Sequence, residues 1–487
     1  MRIILLCASV LFATAALSPA REPAVAGQFY PADRVELTSF VDAALSAGGQ
    51  KPAGTVTAVL VPHAGYEYSG GMAGLAFKFT DDAYDTVVIL ATGHTEAVKG
   101  AALLASDYYE TPLGRVQPDR ELAAALMKAS PLFEDRPSAH AREHSIEVEL
   151  PFLQRRLKKP FKLLAATLNT GDLAALKKIG AALASALRGK KALIVISTDF
   201  SHYPDKATAA ASDGAMLLAV RSMDPGLVWS ASRILLAKKV PGLETCACGE
   251  AALEAGMEAA RLLGAASFFP LKISNSYSED PGAGDPGRVV GYISGLFLRS
   301  GGPQYPSLSK AQKEALLRAA RLTLEDSFAG KEPPAGLEAD PRMDLPGAVF
   351  VTLTEGGALR GCVGTIEPVM TLMDAARYGA YSAAFRDDRF RPLSAAELPK
   401  VRLEVSVLSP LKPVTVADIK PGRHGVVAVR DGHSGLFLPQ VWEQIPAKED
   451  FLGELCAQKA GLPRDCWKDG KTQLYSFTVD AFQEKTP

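Results

Sequence analysis

The chain has little of what usually labels a sequence at sight. Charge of one sign is missing: 53 lysines and arginines stand against 54 aspartates and glutamates, a formal net charge of -1. Without a global basic field, neither nucleic acid nor an anionic membrane surface is an expected partner. Cysteine is scarce, with 6 residues, as are histidine with 7 and tryptophan with 3. There is no internal repeat and no low-complexity tract beyond the linker described below. Past the N-terminus no apolar run reaches the about 20 residues that a membrane helix needs. What is there is an ordinary globular balance, 47% hydrophobic and 22% charged over 487 residues. That is material for two or three domains with buried cores.

The N-terminus carries the one segment of a different kind. Met1-Arg2 precedes the apolar stretch Ile3 to Leu17, which ends in Ser18-Pro-Ala20. A basic start, a short apolar region and a small-residue end describe a secretory signal over residues 1–20. The expected location is therefore periplasmic or extracellular, with no membrane association once the signal is removed. A misassigned segment would leave the chain cytoplasmic. Cys7 lies inside the segment, so five cysteines remain: Cys246, Cys248, Cys362, Cys456 and Cys466. An odd number argues against a disulfide framework and leaves at least one thiol free or ligated.

A Gly/Pro-rich stretch at 299–307 separates two segments. From 22 to 298, strand-like runs at 56–62, 86–91, 161–167, 192–198, 268–274 and 289–297 alternate with helical patterns near 34–47, 171–188, 207–221 and 248–264. Such alternation predicts an α/β fold, a mainly parallel sheet flanked by helices. From 308 to 485, a helix opening at Ser309 is followed by strands at 348–354 and 401–408 and a helix at 370–384. This smaller domain reads as α+β.

Three histidines stand just past strand-like runs. His63 follows Thr57-Ala-Val-Leu-Val-Pro, His94 follows Thr86-Val-Val-Ile-Leu-Ala-Thr-Gly, and His202 follows Ala192-Leu-Ile-Val-Ile-Ser-Thr-Asp-Phe-Ser. Ligands and metals gather at the carboxyl ends of strands in open α/β sheets. With a cysteine further along, the pattern points to a metal pocket.

Six motifs then occur in order: Arg21-Glu-Pro-Ala-Val-Ala-Gly-Gln-Phe-Tyr-Pro31, Pro62-His-Ala-Gly-Tyr66, Gly93-His94, Glu143-His-Ser-Ile-Glu147, Ser197-Thr-Asp-Phe-Ser-His202 and Cys248-Gly249. On these, the segment 22–298 resembles the Memo family, whose fold resembles the class III extradiol dioxygenases. The resemblance implies one divalent or cuprous metal ion on His63, His94 and Cys248, with His202 and Asp199 beside it as catalytic candidates. Iron is the first expectation, with zinc or copper as alternatives. Imidazole and thiolate suit all three, and three protein ligands leave positions open for substrate. Asp199 and Glu143 are placed to accept the distal N–H of ligand imidazoles, and His202 to move a proton. The cysteine departs from the two-histidine, one-carboxylate triad of the dioxygenases. That separates this pocket from ring cleavage.

Other residues carry two readings. His144, where a helix is expected to begin, reads as a hydrogen-bonded structural histidine before it reads as a ligand, and His140 as a surface residue. Cys246 and Cys248 precede a helix whose N-terminus would lower a thiol's pKa; a disulfide between them is the alternative. Tyr66 and Tyr68 either line the pocket or pack in the core.

Leu359-Arg-Gly-Cys-Val-Gly-Thr365, Asp388-Arg-Phe-Arg-Pro392, Gly435-Leu-Phe-Leu-Pro-Gln-Val441 and Lys459-Ala-Gly-Leu462 make 308–485 resemble the AMMECR family. Arg360 as an anion contact and Cys362 as a reactive thiol are the functional readings. A buried cysteine, with Arg360 paired to Asp387 or Asp388, is the structural one. Both families accompany a radical S-adenosylmethionine enzyme in the AmmeMemoRadiSam system, so this chain looks like a fusion of that system's B and A components. The cluster motif Cys-x3-Cys-x2-Cys is absent, so the radical enzyme is a possible partner and not this chain. Expected ligands are a small molecule or a peptide. Alternative functions are a non-catalytic binding module for a peptide or modified side chain, and a cysteine-dependent hydrolase pairing Cys248 with His202.

Overall fold

Strands that read as unbroken apolar runs belong in a sheet buried on both faces. The computed structural model describes residues 20–485 except 50, 51, 283, 303, 305, 306, 333 and 335. The leader read at 1–20 lies outside these residues, apart from Ala20. The chain divides into two units; the second gathers Ala207–Ser222 and Leu227–Cys246 along with the chain from Gln304 onward.

Among the described residues the first unit holds an eleven-stranded sheet. Its strands are β1 (Ala20–Arg21), β2 (Val56–Val61), β3 (Thr86–Thr92), β4 (Ala101–Leu103), β5 (Tyr108–Thr111), β6 (Gly114–Pro118), β7 (Phe133–Asp135), β8 (Lys162–Leu168), β9 (Ala192–Ser197), β10 (Ser267–Asn275) and β11 (Gly291–Leu298). The central order is β6-β8-β3-β9-β2-β11-β10, parallel from β6 to β2 and antiparallel beyond. Every residue of β2 and β3 is buried.

The two faces follow the alternation of side chains along each strand. Val59, Val61, Val87, Ile89, Leu193 and Val195 share a core with Leu37, Phe77 and Phe152. These last three come from α1 (Arg34–Ser46), α2 (Gly71–Lys78) and α4 (Leu150–Arg156). The helix α3 (Arg120–Ala129) packs on α5 (Leu173–Leu187). On the other face, Leu90 and Ile196 lie under Gly256 of α8 (Glu250–Leu262), which also packs on α5. Asp33, Asp119 and Asp172 start α1, α3 and α5 by accepting backbone N–H groups of the first turn.

The second unit contains α6 (Lys206–Arg221, from Ala207 on), α7 (Pro225–Ala237, from Leu227 on), α10 (Lys310–Ala329) and α11 (Leu372–Phe385); the short α9 (Ser276–Glu279) belongs to the first. One antiparallel sheet has the order β13-β12-β14-β19, from β12 (Ala348–Glu355), β13 (Ala358–Gly364), β14 (Val401–Leu408) and β19 (Val479–Gln483). Its core is closed by Leu316, Ala320 and Leu324 of α10 and Ala376 and Ala380 of α11. A second antiparallel sheet has the order β15-β18-β16-β17, from β15 (Lys412–Pro413), β16 (Gly425–Arg430), β17 (His433–Phe437) and β18 (Gln473–Phe477). Cys456 and Cys466 form a disulfide in this unit, so one pair does form where the odd count argued against a framework. The α/β and α+β readings both stand. The elements that alternation did not reveal include the short strands β1 and β4 to β7, the glycine-rich α2, the helices α3, α4, α7 and α9, and the strands β13 and β15 to β19.

Gly256 marks a close point of the helix-on-sheet packing in the first unit. A Cβ there would lie 2.5 Å from Ile196 Cγ1 and 2.6 Å from its Cδ1. Gly256→Val should destabilise the first unit by about 1–3 kcal/mol through overpacking. Chemical denaturation followed by tryptophan-independent circular dichroism checks this; an unchanged midpoint would show the helix can lift freely.

Candidate metal centre

β3, β9 and β2 are side by side and parallel, so their carboxyl ends open at one edge of the sheet. His63 and His94 each stand two residues past their strands, and His202 five past β9. The strand-end arrangement read from the sequence is thus a spatial one.

His63 is fully inside. Its Nδ1 lies 2.9 Å from Ser197 Oγ, and that hydroxyl also lies 2.7 Å from Ser145 O. Ser197 has one proton to give, and the carbonyl can only accept. The hydroxyl therefore accepts from His63 Nδ1–H, which leaves Nε2 bare; the tautomer follows from this network. Nε2 is 3.1 Å from Cys248 Sγ. Burial, then the neighbouring His144, His94 and His202, hold the His63 pKa well below its usual value.

His94 is fixed by the carboxylate of Glu143 at two points. Oε1 lies 2.9 Å from the ring Nδ1, and Oε2 accepts the His94 backbone N–H at 2.6 Å. Burial alone would raise the Glu143 pKa, but hydrogen bonds from His94 and from the Ser145 amide outweigh it and hold it at about 2. An ionised carboxylate only accepts, so His94 Nδ1 carries the proton and Nε2 is left for a ligand. Glu143 fills the supporting role expected of it.

Cys248 completes the group. One ligand atom each from His63, His94 and Cys248 can be chosen so that all lie within 4.8 Å of one another. Bonds of about 2.0–2.3 Å from a central ion span such a set. Gly249 lets the thiol come this close: a Cβ there would lie 2.7 Å from Thr198 Cβ and 2.8 Å from Ser197 O. Burial, and then the charge of Asp199, push the thiol pKa up. That reverses the lowering expected from the helix N-terminus. A buried neutral thiol against a bare imidazole nitrogen lacks a cation, and a metal ion is the group whose charge makes it a thiolate. The donors fit a metal.

The Memo-like family matches residues 21–296, more than half of the chain. This chain belongs to the Memo family. A MEMO1 family protein of Aquifex aeolicus is 35% identical over 280 residues, covering 57% of this chain and 99% of that protein. One from Nitrosopumilus maritimus is 33% identical over 284 residues, with coverage of 57% and 99%. The AMMECR1 family matches residues 317–482. Protein NEQ441 of Nanoarchaeum equitans is 39% identical over 182 residues, covering 35% of this chain and 98% of that protein.

Around the Memo donors, several residues stand differently from their sequence reading. Asp199 does not reach an imidazole; it accepts the backbone N–H of His63 at 2.8 Å and that of Ala64, and burial pushes its pKa up to about 7. His144 does not begin a helix. Its ring stacks on His94 with centroids 4.5 Å apart, meets His63 edge-on at 5.4 Å and touches Phe29 at 4.7 Å. It is half-buried and walls the pocket, and burial, with His94 second, brings its pKa down to about 4. His94, Glu143 and His144 form a second group of possible ligands.

His202 is half-buried, with Nε2 lacking a hydrogen-bond partner, and burial followed by His94 brings its pKa down to about 4. The ring that Cys248 meets is His63, not His202, so the hydrolase pair read from the sequence is not formed. Cys246 is buried, belongs to the second unit and forms no disulfide with Cys248. Tyr66 packs between Phe40 and Phe152 and donates to Val148 O at 2.7 Å, so it is core.

His140 is wholly buried rather than on the surface. Its Nε2 lies 2.9 Å from Ala102 O and so donates, and its Nδ1 accepts from Tyr109 OH at 2.8 Å.

In the AMMECR1 domain Arg360 is ion-paired, though with neither of the expected aspartates, and Cys362 is half-buried. Arg360 pairs with Glu397, Nε to Oε1 at 2.9 Å, while Asp387 binds Arg389 and the Cys362 amide. Cys362 accepts from Thr352 Oγ1 at 3.3 Å, and burial raises its pKa. Neither side chain is an obvious reacting group. The supports whose role sequence reasoning missed are Ser145 and Ser197, which stand inside quoted motifs, and Glu149, which stands outside them; all three act on rings far away in sequence.

Burial brings the pKa of His140 down to about 4 from 6.5, with the His140 ring fully enclosed. The unfolded chain then binds more protons between these values, so stability falls as pH drops from about 6.5 to about 4. The shift corresponds to about 3 kcal/mol at the acid end. Thermal melts of His140→Gln across this range should lose that part of the pH dependence; an identical slope would remove His140 from the account.

Proposed function

We propose that the Memo unit holds one metal ion, divalent or cuprous, on His63, His94 and Cys248, and acts on a small oxygenated molecule in the adjoining pocket. The observation that carries this is the pair of imidazoles, each with Nδ1 engaged from behind, by Ser197 and by Glu143, around a thiol at 3.1 Å from His63. Oriented imidazoles with a supported distal N–H are what metal ligation requires. When bound, the ion supplies Lewis acidity or one-electron chemistry. Iron is the first candidate, and the soft thiolate also suits zinc or copper.

The chain's own residues do the rest. Glu143 stays ionised and keeps His94 turned, and Ser197 does the same for His63. His144 and Phe29 wall the pocket beside His94, and the half-buried His202, its Nε2 unpartnered, is the proton donor or acceptor toward a bound molecule. A cysteine in place of a carboxylate ligand argues for an oxidoreductase distinct from ring-cleaving dioxygenases, or for metal handling. A peptide side chain is the other ligand this pocket admits, since His94 is solvent-exposed. The alternative pairing of Cys248 with His63 as a metal-free nucleophile is disfavoured, because burial opposes charge on both.

For the chain as a whole, we place it with a radical S-adenosylmethionine enzyme in an AmmeMemoRadiSam system, supported by the Memo and AMMECR1 matches within one polypeptide. Export is supported by the leader pattern and by the Cys456–Cys466 disulfide, since disulfides persist in oxidising compartments.

Elemental analysis of purified protein should find close to one metal ion per chain, and His63→Ala and Cys248→Ser should each lose it. Unchanged metal content in both variants would sink the assignment. His202→Gln should keep the metal and lose turnover of any substrate found.

A further inference from the structure

The segment between His140 and Glu149 supports both ligand imidazoles. Glu143 holds the His94 ring and backbone; Ser145 O anchors the hydroxyl behind His63, and Glu149 Oε1 lies 3.1 Å from that same hydroxyl. Ser145 Oγ ties the segment to Thr92 O at the end of β3. What fixes the segment from its other side comes from the start of the described chain. Arg21 is 6% exposed, and its guanidinium spends its donors on three points of the segment. Nε donates to His140 O at 2.9 Å, Nη2 to Glu143 O, and Nη1 pairs with Glu147 Oε2. Glu147 in turn accepts Tyr30 OH at 2.6 Å and the amides of Ala24 and Val25. The guanidinium lies 5.0 Å from the Tyr109 ring centre, and Tyr109 binds His140.

We infer that Arg21 is a positioning residue of the metal centre: by clamping the carbonyls of His140 and Glu143 and the carboxylate of Glu147, it sets where Glu143 presents its carboxylate to His94. The inference rests on the metal reading above. A fixed guanidinium fork meets three acceptors in different directions, which a lysine ammonium on a flexible stem does not do in the same way. Removing it leaves a buried carboxylate without its cation, next to the group that orients His94.

The test titrates the full chain, stripped of metal, with cobalt(II), whose thiolate charge-transfer band reports Cys248 ligation. Arg21→Ala should bind cobalt at least about tenfold more weakly, in the range seen when groups behind metal ligands are removed. Added guanidinium ion should restore much of the loss by filling the vacated site. Arg21→Lys, which keeps the ion pair with Glu147, should fall between the two, and it decides the matter if Arg21→Ala does not fold. Wild-type affinity and spectrum in a folded Arg21→Ala or Arg21→Lys protein would overturn the clamp alone. A parent protein whose spectrum with cobalt is the same as that of Cys248→Ser would overturn the metal reading, and the clamp's role with it.

Discussion

Burial of the sheet on both faces governs this molecule. β2, β3 and β9 have no solvent-facing side, so their side chains are spent on packing against helices above and below. Polar chemistry has room only where those strands stop. Three adjacent strands running the same way stop at one edge, and His63, His94 and the segment leading to His202 enter there together. The lack of a Cβ at Gly249 then brings the cysteine against the same edge, within reach of a ring delivered by another strand.

A second constraint acts on the rings themselves. An imidazole offers two nitrogens, and which one faces a ligand depends on what the other one does. Here a hydroxyl and a carboxylate take the far nitrogens, and both are presented or anchored by one segment, 140–149. The site is therefore less a set of donors than a set of supports, with Glu143, Ser145, Glu147 and Glu149 of that segment fully buried. The histidines that wall it are kept neutral mainly by enclosure, which preserves their capacity to exchange protons with a bound molecule.

Much of the architecture was legible in the chain. The apolar runs at 86–91 and 192–198 could hardly be anything but buried strands, and they differ from the observed ones by a residue or two. The grouping of His63, His94 and Cys248 was legible because the histidine motifs sit at strand ends and because the Memo resemblance joined the cysteine to them. What was not legible depended on distance in space. The carboxylate of Asp199 sits two residues past its strand, yet it caps a backbone loop rather than a ring. His140 has no motif around it, and only the closure of β4 and β5 over its ring makes it core. Tyr66 follows a ligand motif, but the π-helical turn at Tyr66–Gly70 points it into the hydrophobic cluster. Arg360 found Glu397 rather than Asp387 or Asp388, since partner choice follows the folded path of the chain.

Arg21 makes the first described residues a ruler. It is the second residue of β1, and its side chain reaches past Tyr109 to the segment behind the ligands. A peptidase acting after Ala20 would leave the guanidinium in place, whereas one acting a single bond later would remove it. Trimming that reaches Arg21 would thus take one cation from behind the candidate ligands.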